Sequence, residues 1–197
     1  MQVIVATGNK DKMREVKEIM AGYEVLSMKE AGCAADPEEN GQTFEENALI
    51  KARAVAALAG DALVLADDSG LEVDYLDKAP GIYSARFMGH DTSYDIKNQA
   101  ILEKLADVPK EERTARFVCA VAAVLPNGQE YTVRGTMEGY IADGIAGANG
   151  FGYDPIFWLE EYGCTSAELT EEQKNAISHR GKALRAMTQK LHECGEL

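Results

Sequence analysis

Short apolar runs and longer amphipathic segments alternate along the chain. A short apolar run between turn residues is typical of a buried strand, and apolar residues three and four positions apart are typical of a helix. We therefore predict strands at residues 3–6, 25–28, 64–66, 71–75, 115–125 and 131–133. We predict helices at residues 13–20, 43–59 and 93–106, and a helical end of the chain after residue 170. In the third helix the spacing turns Ile96, Ala100 and Leu105 towards the core.

Turn and capping residues support these elements. Thr43 with Glu46, and Thr170 with Gln173, have the spacing of a capping box at a helix start. Asn127-Gly128 is typical of a tight turn between two antiparallel strands. Strands that alternate with helices favour parallel pairing, whereas the hairpin is antiparallel. The pattern therefore predicts an α/β protein with a mixed sheet.

Two adjacent acids, Asp67 and Asp68, follow the apolar run at residues 64–66 and precede Ser69 and Gly70. This places them in a turn at the carboxyl end of a strand, where open α/β sheets bind their ligands. Two carboxylates at such an edge suit a divalent cation and an activated water molecule. A polar turn without chemistry is the alternative, and this stretch taken alone favours the turn.

Composition excludes several classes of function. The chain has 197 residues and a formal net charge of -13, which suits one large domain or two small ones and disfavours binding to nucleic acid or an anionic membrane. The four cysteines do not have the spacing of a zinc site. The first residues lack the pattern of a signal peptide, and no apolar stretch has the length of a membrane span. We therefore expect a cytoplasmic protein without a nucleic-acid or membrane partner.

A small phosphorylated ligand remains compatible with this charge, because a few lysines and a metal can neutralise it locally. Residues 7–12 connect the first strand to the first helix and contain Gly8, Lys10 and Lys12. Such a turn presents backbone N–H groups to an anion. An ordinary strand–helix turn with solvated lysines explains this segment equally well.

Two further segments suit a nucleobase. The tripeptide Phe151-Gly152-Tyr153 lies in a glycine-rich loop, where its rings could either stack on a base or pack into the core. Lys174, His179 and Arg180 lie close together in the sequence, near the start of the last helix. A neutral histidine beside an arginine can donate hydrogen bonds to a carbonyl-bearing ligand. Together with the acids and lysines, these segments favour a nucleotide-phosphate hydrolase.

Six blocks, in this order, resemble the inosine triphosphate pyrophosphatase family. Its members hydrolyse non-standard purine nucleoside triphosphates to the monophosphate and pyrophosphate. The blocks run nearly from end to end of the chain: Ala6-Thr7-Gly8-Asn9 with Lys12, Thr43-Phe44-Glu45-Glu46-Asn47-Ala48, Leu65-Ala66-Asp67-Asp68-Ser69-Gly70-Leu71, Ala79-Pro80-Gly81-Ile82-Tyr83-Ser84-Ala85-Arg86, Gly150-Phe151-Gly152-Tyr153-Asp154-Pro155-Ile156-Phe157 and Ile177-Ser178-His179-Arg180-Gly181.

The resemblance implies a role for most of these residues. Asp68 is expected to accept a proton from the water that attacks the α-phosphorus, Ser69 to contact the substrate, and Glu38 and Asp68 to bind Mg²⁺. The triphosphate is expected to contact Thr7, Gly8, Asn9, Lys10, Asp11 and Lys12. The base is expected to contact Phe151, Gly152, Tyr153, Asp154, Lys174, His179 and Arg180.

The resemblance also implies an elongated, mixed α/β fold with two lobes and a central cleft, a single catalytic domain over residues 1–197, and a homodimer. Preference among ITP, dITP and XTP stays open, as do direct roles for Lys51, Asp67 and Arg86. One alternative is a related pyrophosphatase for pyrimidine or methylated bases, which the His179-Arg180 block disfavours. Another is a nucleotide sensor without catalysis, which the presence of the lysines and acids disfavours.

Overall fold

The computed structural model describes residues 2–197, which form seven strands and five α-helices. The strands are β1 (Gln2–Val5), β2 (Glu24–Ser27), β3 (Leu63–Val73), β4 (Thr114–Val124), β5 (Glu130–Ile141), β6 (Phe157–Leu159) and β7 (Cys164–Thr165). The helices are α1 (Lys10–Ile19), α2 (Phe44–Ala56), α3 (Tyr94–Lys104), α4 (Glu171–Ile177) and α5 (His179–Glu193), with short 3-10 helices that include Gly81–Arg86. None of the described helices is long and apolar enough to cross a membrane.

All seven strands belong to one sheet, in the order β2-β1-β3-β4-β5-β6-β7. β1 pairs in parallel with both β2 and β3, whereas β6 pairs antiparallel with β5 and β7. The tight turn between β4 and β5 closes with a hydrogen bond from Leu125 N–H to the Gln129 carbonyl, and Gly128 has a φ of 82°. The predicted mixed α/β sheet is therefore confirmed.

The chain divides into two compact units. The first contains residues 2–69, Cys119–Gly135 and His179–Leu197, and the second contains Gly70–Val118 and Thr136–Ser178. Strands β3, β4 and β5 each contribute residues to both units. The expectations of a single domain over residues 1–197 and of a homodimer stay predictions.

Each unit has its own apolar core. In the first, alternate residues of β1 and β3 pack with the apolar faces of α1 and α5. Gly135 of β5 lies directly against the start of α5, because a Cβ atom there would be 2.3 Å from the His179 carbonyl oxygen. In the second unit, Ile101 of α3 and Leu105, which directly follows that helix, belong to the core. Ile96, which the spacing turned inward, is instead 54% exposed.

Strand β3 differs from its prediction around the two adjacent acids. The sequence favoured a turn after residues 64–66 and a separate strand at residues 71–75, but β3 continues without a break from Leu63 to Val73. Asp67 and Asp68 therefore lie within a strand. Because successive side chains of a strand point to opposite faces of the sheet, these adjacent acids have different neighbours.

The two predicted capping boxes have different outcomes. At α4, Thr170 and Gln173 form both hydrogen bonds of a capping box. At α2, the Thr43 hydroxyl accepts from the Glu46 N–H, but the Glu46 carboxylate accepts from the Gln42 N–H. The capping box at α2 is therefore only half formed, although this helix begins where predicted.

Candidate active site

Asp67 lies in a buried network of ion pairs within the first unit. Its Oδ2 atom is 2.9 Å from Lys12 Nζ and 3.2 Å from Arg180 Nη2. Arg180 is 1% exposed and also donates to the Glu15 carboxylate and, over 2.9 Å, to Ser69 Oγ. Burial acts to raise the pKa of Asp67, but Lys12 and Arg180 outweigh it and hold that pKa well below its usual range. Asp67 is therefore ionised near neutral pH.

Asp68 has a different environment. The Lys51 ammonium, which α2 contributes, lies 3.4 Å from Asp68 Oδ1 and 3.0 Å from Glu39 Oε2. Burial raises the pKa of Asp68, and the attraction of Lys51 offsets this only in part. The pKa of Lys51 is itself raised, since burial is outweighed by the nearby carboxylates, Asp68 first among them.

The adjacent acids are thus shifted in opposite directions. In active sites, similar side chains often take different roles because their environments push their pKa values apart. Asp67 is the stabilised anion, and Asp68 is the stronger base of the two. Proton acceptance by Asp68 stays a prediction, and the opposite shifts of the two pKa values are consistent with it.

Each acid also carries one buried carboxylate oxygen, Asp67 Oδ1 and Asp68 Oδ2, that accepts no hydrogen bond from the described residues. Leaving such an oxygen unsatisfied costs about 1–3 kcal/mol. Carboxylate oxygens are the ligands that hard cations such as Mg²⁺ prefer, with one or two carboxylates sufficing where a phosphorylated substrate and water complete the coordination. The chemistry of the unsatisfied Asp68 oxygen therefore fits a hard divalent cation.

Glu38, the other expected Mg²⁺ ligand, has an exposed side chain in the loop before α2. Within residues 2–197 no three or more His, Cys, Asp or Glu residues are grouped as a metal site. The neighbouring Glu39, rather than Glu38, contacts Lys51. Binding of Mg²⁺ by Glu38 and Asp68 stays a prediction.

The expected phosphate-binding turn is capped by its own side chains. Asn9 Oδ1 accepts hydrogen bonds from the N–H groups of Asp11 and Lys12, at 2.9 Å and 3.2 Å, and Thr7 Oγ1 accepts one from Asn9 N–H. Two of the N–H groups at the start of α1 are therefore engaged within the turn. Gly8, Asn9 and Lys10 are exposed, whereas Thr7, Asp11 and Lys12 are half-buried. Triphosphate binding by these residues stays a prediction.

The second unit contains a buried ion pair beside the aromatic loop. Lys174 Nζ lies 2.6 Å from Asp154 Oδ2, which also accepts a 2.9 Å hydrogen bond from the N–H of Phe151. The Lys174 ammonium is 5.0 Å from the centroid of the half-buried Phe151 ring. Gly150 is required by this close approach, because a Cβ atom there would be 2.2 Å from Asp154 Oδ2. The Asp154 carboxylate thus links the Lys174 ammonium to the Phe151 backbone.

The two aromatic residues of the loop are placed differently. Tyr153 is 3% exposed, its hydroxyl donates to the Ser84 carbonyl over 2.7 Å, and its ring meets the Tyr94 ring edge-on. The sequence left two arrangements open for the loop rings, stacking on a base or packing into the core. In this structure Tyr153 packs into the core. Of the remaining expected base contacts, Gly152 is half-buried and His179 is buried as the first residue of α5.

Comparison with known proteins places this geometry in a family. The model of the Ham1 family matches residues 3–190. The chain belongs to the Ham1 family. The resemblance that six sequence blocks carried is thereby confirmed.

Named Ham1-family relatives extend over nearly the whole chain. A dITP/XTP pyrophosphatase of Exiguobacterium sibiricum is 53% identical over 189 residues, covering 95% of each chain. The structure of the Staphylococcus aureus Ham1 protein aligns with a TM-score of 0.87 and 40% identity over 98% of this chain and 99% of that one. A nucleoside-triphosphatase / dITP/XTP pyrophosphatase from Mycobacterium abscessus aligns with a TM-score of 0.74 and 43% identity over 95% of this chain and 98% of that one.

Sequence reasoning missed two acids of this Ham1-family site. Glu15 lies three residues after Lys12 on α1, and this helical spacing puts both side chains on one face. That spacing could have linked Glu15 to the acidic site. Glu39 adjoins Glu38, and no sequence signal distinguishes the two. Arg86, whose role was open, is exposed with its guanidinium 4.9 Å from the Tyr83 ring centroid.

Cys119 gives a first test of the environment around Asp67. Its Sγ atom lies 3.9 Å from Asp67 Oδ2, and burial together with that carboxylate raises the pKa of the thiol to about 12. We expect native protein at pH 8 to be alkylated at the exposed Cys194 and at least about a thousandfold more slowly at Cys119, since the thiolate is the reactive form. Peptide mass spectrometry with and without denaturant measures both rates. Equal rates in the native protein would contradict this environment.

Proposed function

We infer that the chain is a nucleoside triphosphate pyrophosphatase, an enzyme that hydrolyses non-standard purine nucleoside triphosphates to the monophosphate and pyrophosphate. Support comes from membership of the Ham1 family and from the 53% identical relative named a dITP/XTP pyrophosphatase. The structural observation that carries the inference is the pair of adjacent acids, each beside its own lysine: Lys12 Nζ lies 2.9 Å from Asp67 Oδ2, and Lys51 Nζ lies 3.4 Å from Asp68 Oδ1.

In the proposed reaction Asp68 orients and deprotonates the attacking water. Lys12 and Lys51, which lie beside the acids, offset the negative charge of the triphosphate and of the developing pyrophosphate. Asp68 and Glu38 would hold Mg²⁺, which when bound neutralises phosphate charge. Asp67 fixes the position of Lys12 through their ion pair.

Arg180 receives a different role from the one that the resemblance implied. Its guanidinium is engaged by Asp67, Glu15 and Ser69 and is almost completely buried. We therefore propose that Arg180 orients the acidic site rather than contacting the base. Of the expected base contacts, we retain Phe151, Lys174 and His179.

Selectivity follows from hydrogen-bond donors at the 6-position of the purine. Hypoxanthine and xanthine present a 6-oxo acceptor there, which the Lys174 ammonium or an imidazole N–H can satisfy. Adenine presents an amino group, so a donor would face a donor, and one unsatisfied buried group costs about 1–3 kcal/mol. Binding sites built around such a bond reject analogues that cannot form it.

Pyrophosphate release from XTP, ITP, dITP, GTP and ATP with Mg²⁺ tests this proposal. We expect kcat/KM for XTP, ITP and dITP to exceed that for ATP by about 5- to 150-fold, given a mismatch of roughly 1–3 kcal/mol. Tight nucleotide binding without turnover would instead support the sensor, and preference for pyrimidine triphosphates would support the related pyrophosphatase. Release of orthophosphate in place of pyrophosphate would contradict attack at the α-phosphorus.

We also propose the cytoplasm as the location, as the sequence pattern predicts, and the homodimer as the working assembly, as the family resemblance implies. Light scattering coupled to size-exclusion chromatography tests the assembly. A mass near the 21.4 kDa of one chain would contradict the dimer.

A further inference from the structure

Helix α3 buries polar side chains where a core helix normally buries apolar ones. Lys97 and Asn98 are 1% and 2% exposed, whereas the neighbouring Ile96 is 54% exposed. Burying an ammonium or an amide costs free energy unless each is hydrogen-bonded. The partners of these two side chains therefore indicate why this face of the helix is polar.

Lys97 and Tyr153 donate hydrogen bonds to neighbouring carbonyl groups of the 3-10 helix Gly81–Arg86. Lys97 Nζ donates to the Ala85 carbonyl over 2.7 Å, and the Tyr153 hydroxyl donates to the Ser84 carbonyl over 2.7 Å. This 3-10 helix is thus hydrogen-bonded both to α3, through Lys97, and to the aromatic loop, through Tyr153. These contacts form a fixed frame around the aromatic loop, all within the second unit.

Asn98 contacts the aromatic loop itself. Its Nδ2 atom donates to the Gly152 carbonyl over 3.1 Å. Because a carbonyl oxygen only accepts hydrogen bonds, the partner determines which end of the amide faces it. Gly152 has a φ of 69°, in the left-handed region, and glycine populates both hands of φ with little preference. Gly152 has no side chain to restrict the peptide between itself and Tyr153, and the hydrogen bond from Asn98 restrains that peptide at its carbonyl group.

We propose that Asn98 is a positioning residue for base recognition. It holds the Gly152 carbonyl, and thereby fixes the backbone from which the Phe151 ring and the Asp154–Lys174 ion pair extend. Asn98 acts through the loop and does not itself contact the substrate. The proposal rests on the proposed function, in which Phe151 and Lys174 contact the purine.

The variant Asn98→Asp tests this role with a matched control. A carboxylate has nearly the shape of the amide but cannot donate to the Gly152 carbonyl. Gln99→Glu makes the same chemical change one residue later on α3, where the side chain is exposed and, among residues 2–197, donates to Glu103 on the same helix. Asn98→Ala is a second variant, which removes the donor without adding a charge.

We expect the amide hydrogens of residues 151–154 to exchange about tenfold faster in both Asn98 variants, as the loss of one hydrogen bond predicts, and at the wild-type rate in Gln99→Glu. We expect KM for ITP to rise about tenfold and the ITP-to-ATP selectivity to fall, while kcat stays within about twofold. Inhibition by inorganic pyrophosphate, which has no base, should not change.

Each outcome is decisive for the proposal. Unchanged exchange in the loop, or a loss of kcat with KM unchanged, would overturn the positioning role of Asn98. If the wild-type protein hydrolyses no purine triphosphate, the proposed function fails, and the exchange measurement alone still tests whether Asn98 fixes the loop. If Asn98→Asp does not fold but Asn98→Ala does, the amide exchange and the kinetic constants of the alanine variant decide the proposal. Loss of folding in both variants would make Asn98 a structural residue and overturn the proposal.

Discussion

Replacing Asp68 by asparagine is expected to lower kcat for XTP hydrolysis by about 10²–10⁴-fold, the range that general base catalysis contributes. The amide cannot accept the proton of the attacking water. Stability should not fall with activity. The pKa of Asp68 is raised by burial, so the fold disfavours its ionised form and a neutral side chain relieves that cost. Pyrophosphate release and thermal unfolding measure the two effects.

Asp61→Asn is the matched control, because Asp61 is an exposed acid of the same unit. It should retain wild-type kcat and melting temperature. If Asp68→Asn hydrolyses XTP as fast as the wild type, Asp68 is not the proton acceptor. If it loses both activity and fold, Asp68 contributes to stability and the inferred direction of its pKa shift is wrong.

Replacing Arg180 by methionine is expected to lower the free energy of unfolding by about 3–5 kcal/mol at pH 7, the usual effect of breaking a buried ion pair. The change leaves the Glu15 and Asp67 carboxylates buried without their guanidinium partner. Arg185→Met is the control, since Arg185 is exposed on the same helix. Urea unfolding of both variants measures the difference.

The pH dependence gives this prediction a second signature. The folded pKa of Asp67 is depressed, so its ionisation stabilises the wild type above the normal carboxyl range, and that contribution is lost as pH falls through the folded pKa. Without Arg180 the depression is smaller. The gap in stability between wild type and Arg180→Met should therefore be largest at neutral pH and should narrow below about pH 4. Equal losses in the Arg180 and Arg185 variants would refute the buried network.

Most of the fold follows from local patterns in the sequence. β1, β2, β4 and the hairpin turn after β4 lie close to where apolar runs and Asn127-Gly128 predict them. The helices do likewise, because α2 and α4 begin after threonines that cap them. These features depend on neighbours within a few residues of each other, so the sequence contains them directly.

The departures depend on contacts between distant parts of the chain. β3 continues through Asp67 and Asp68 because Lys12, Lys51 and Arg180 supply the positive charges that allow acids inside a buried strand. A local pattern interprets the same acids as a turn. Hydrophobic spacing likewise does not predict the polar inward face of α3, since Lys97 and Asn98 donate to carbonyl groups of other segments.

The sequence predicts which residues belong to the candidate site, but not which of them contact one another. The two acids, Lys12 and the aromatic loop were identified from the sequence. Arg180 was expected at the base, and its ion pairs with Asp67 and Glu15 are the basis of the orienting role proposed for it. A guanidinium suits either role equally well by chemistry alone. Only the three-dimensional arrangement distinguishes them.

The alternation of side chains along β3 makes the proposed chemistry sensitive to chain length. Deleting or inserting one residue between Leu65 and Asp67 would exchange the two faces, placing one carboxylate in the other's surroundings. After a deletion, Asp68 would take the place of Asp67 and be held as an anion by Lys12 and Arg180. The parallel register of Val3 with Leu63 and of Val5 with Leu65 fixes the strand up to this point, so the sheet could not absorb the change by a slip. Variation in this segment should consequently occur by substitution and not by change of length.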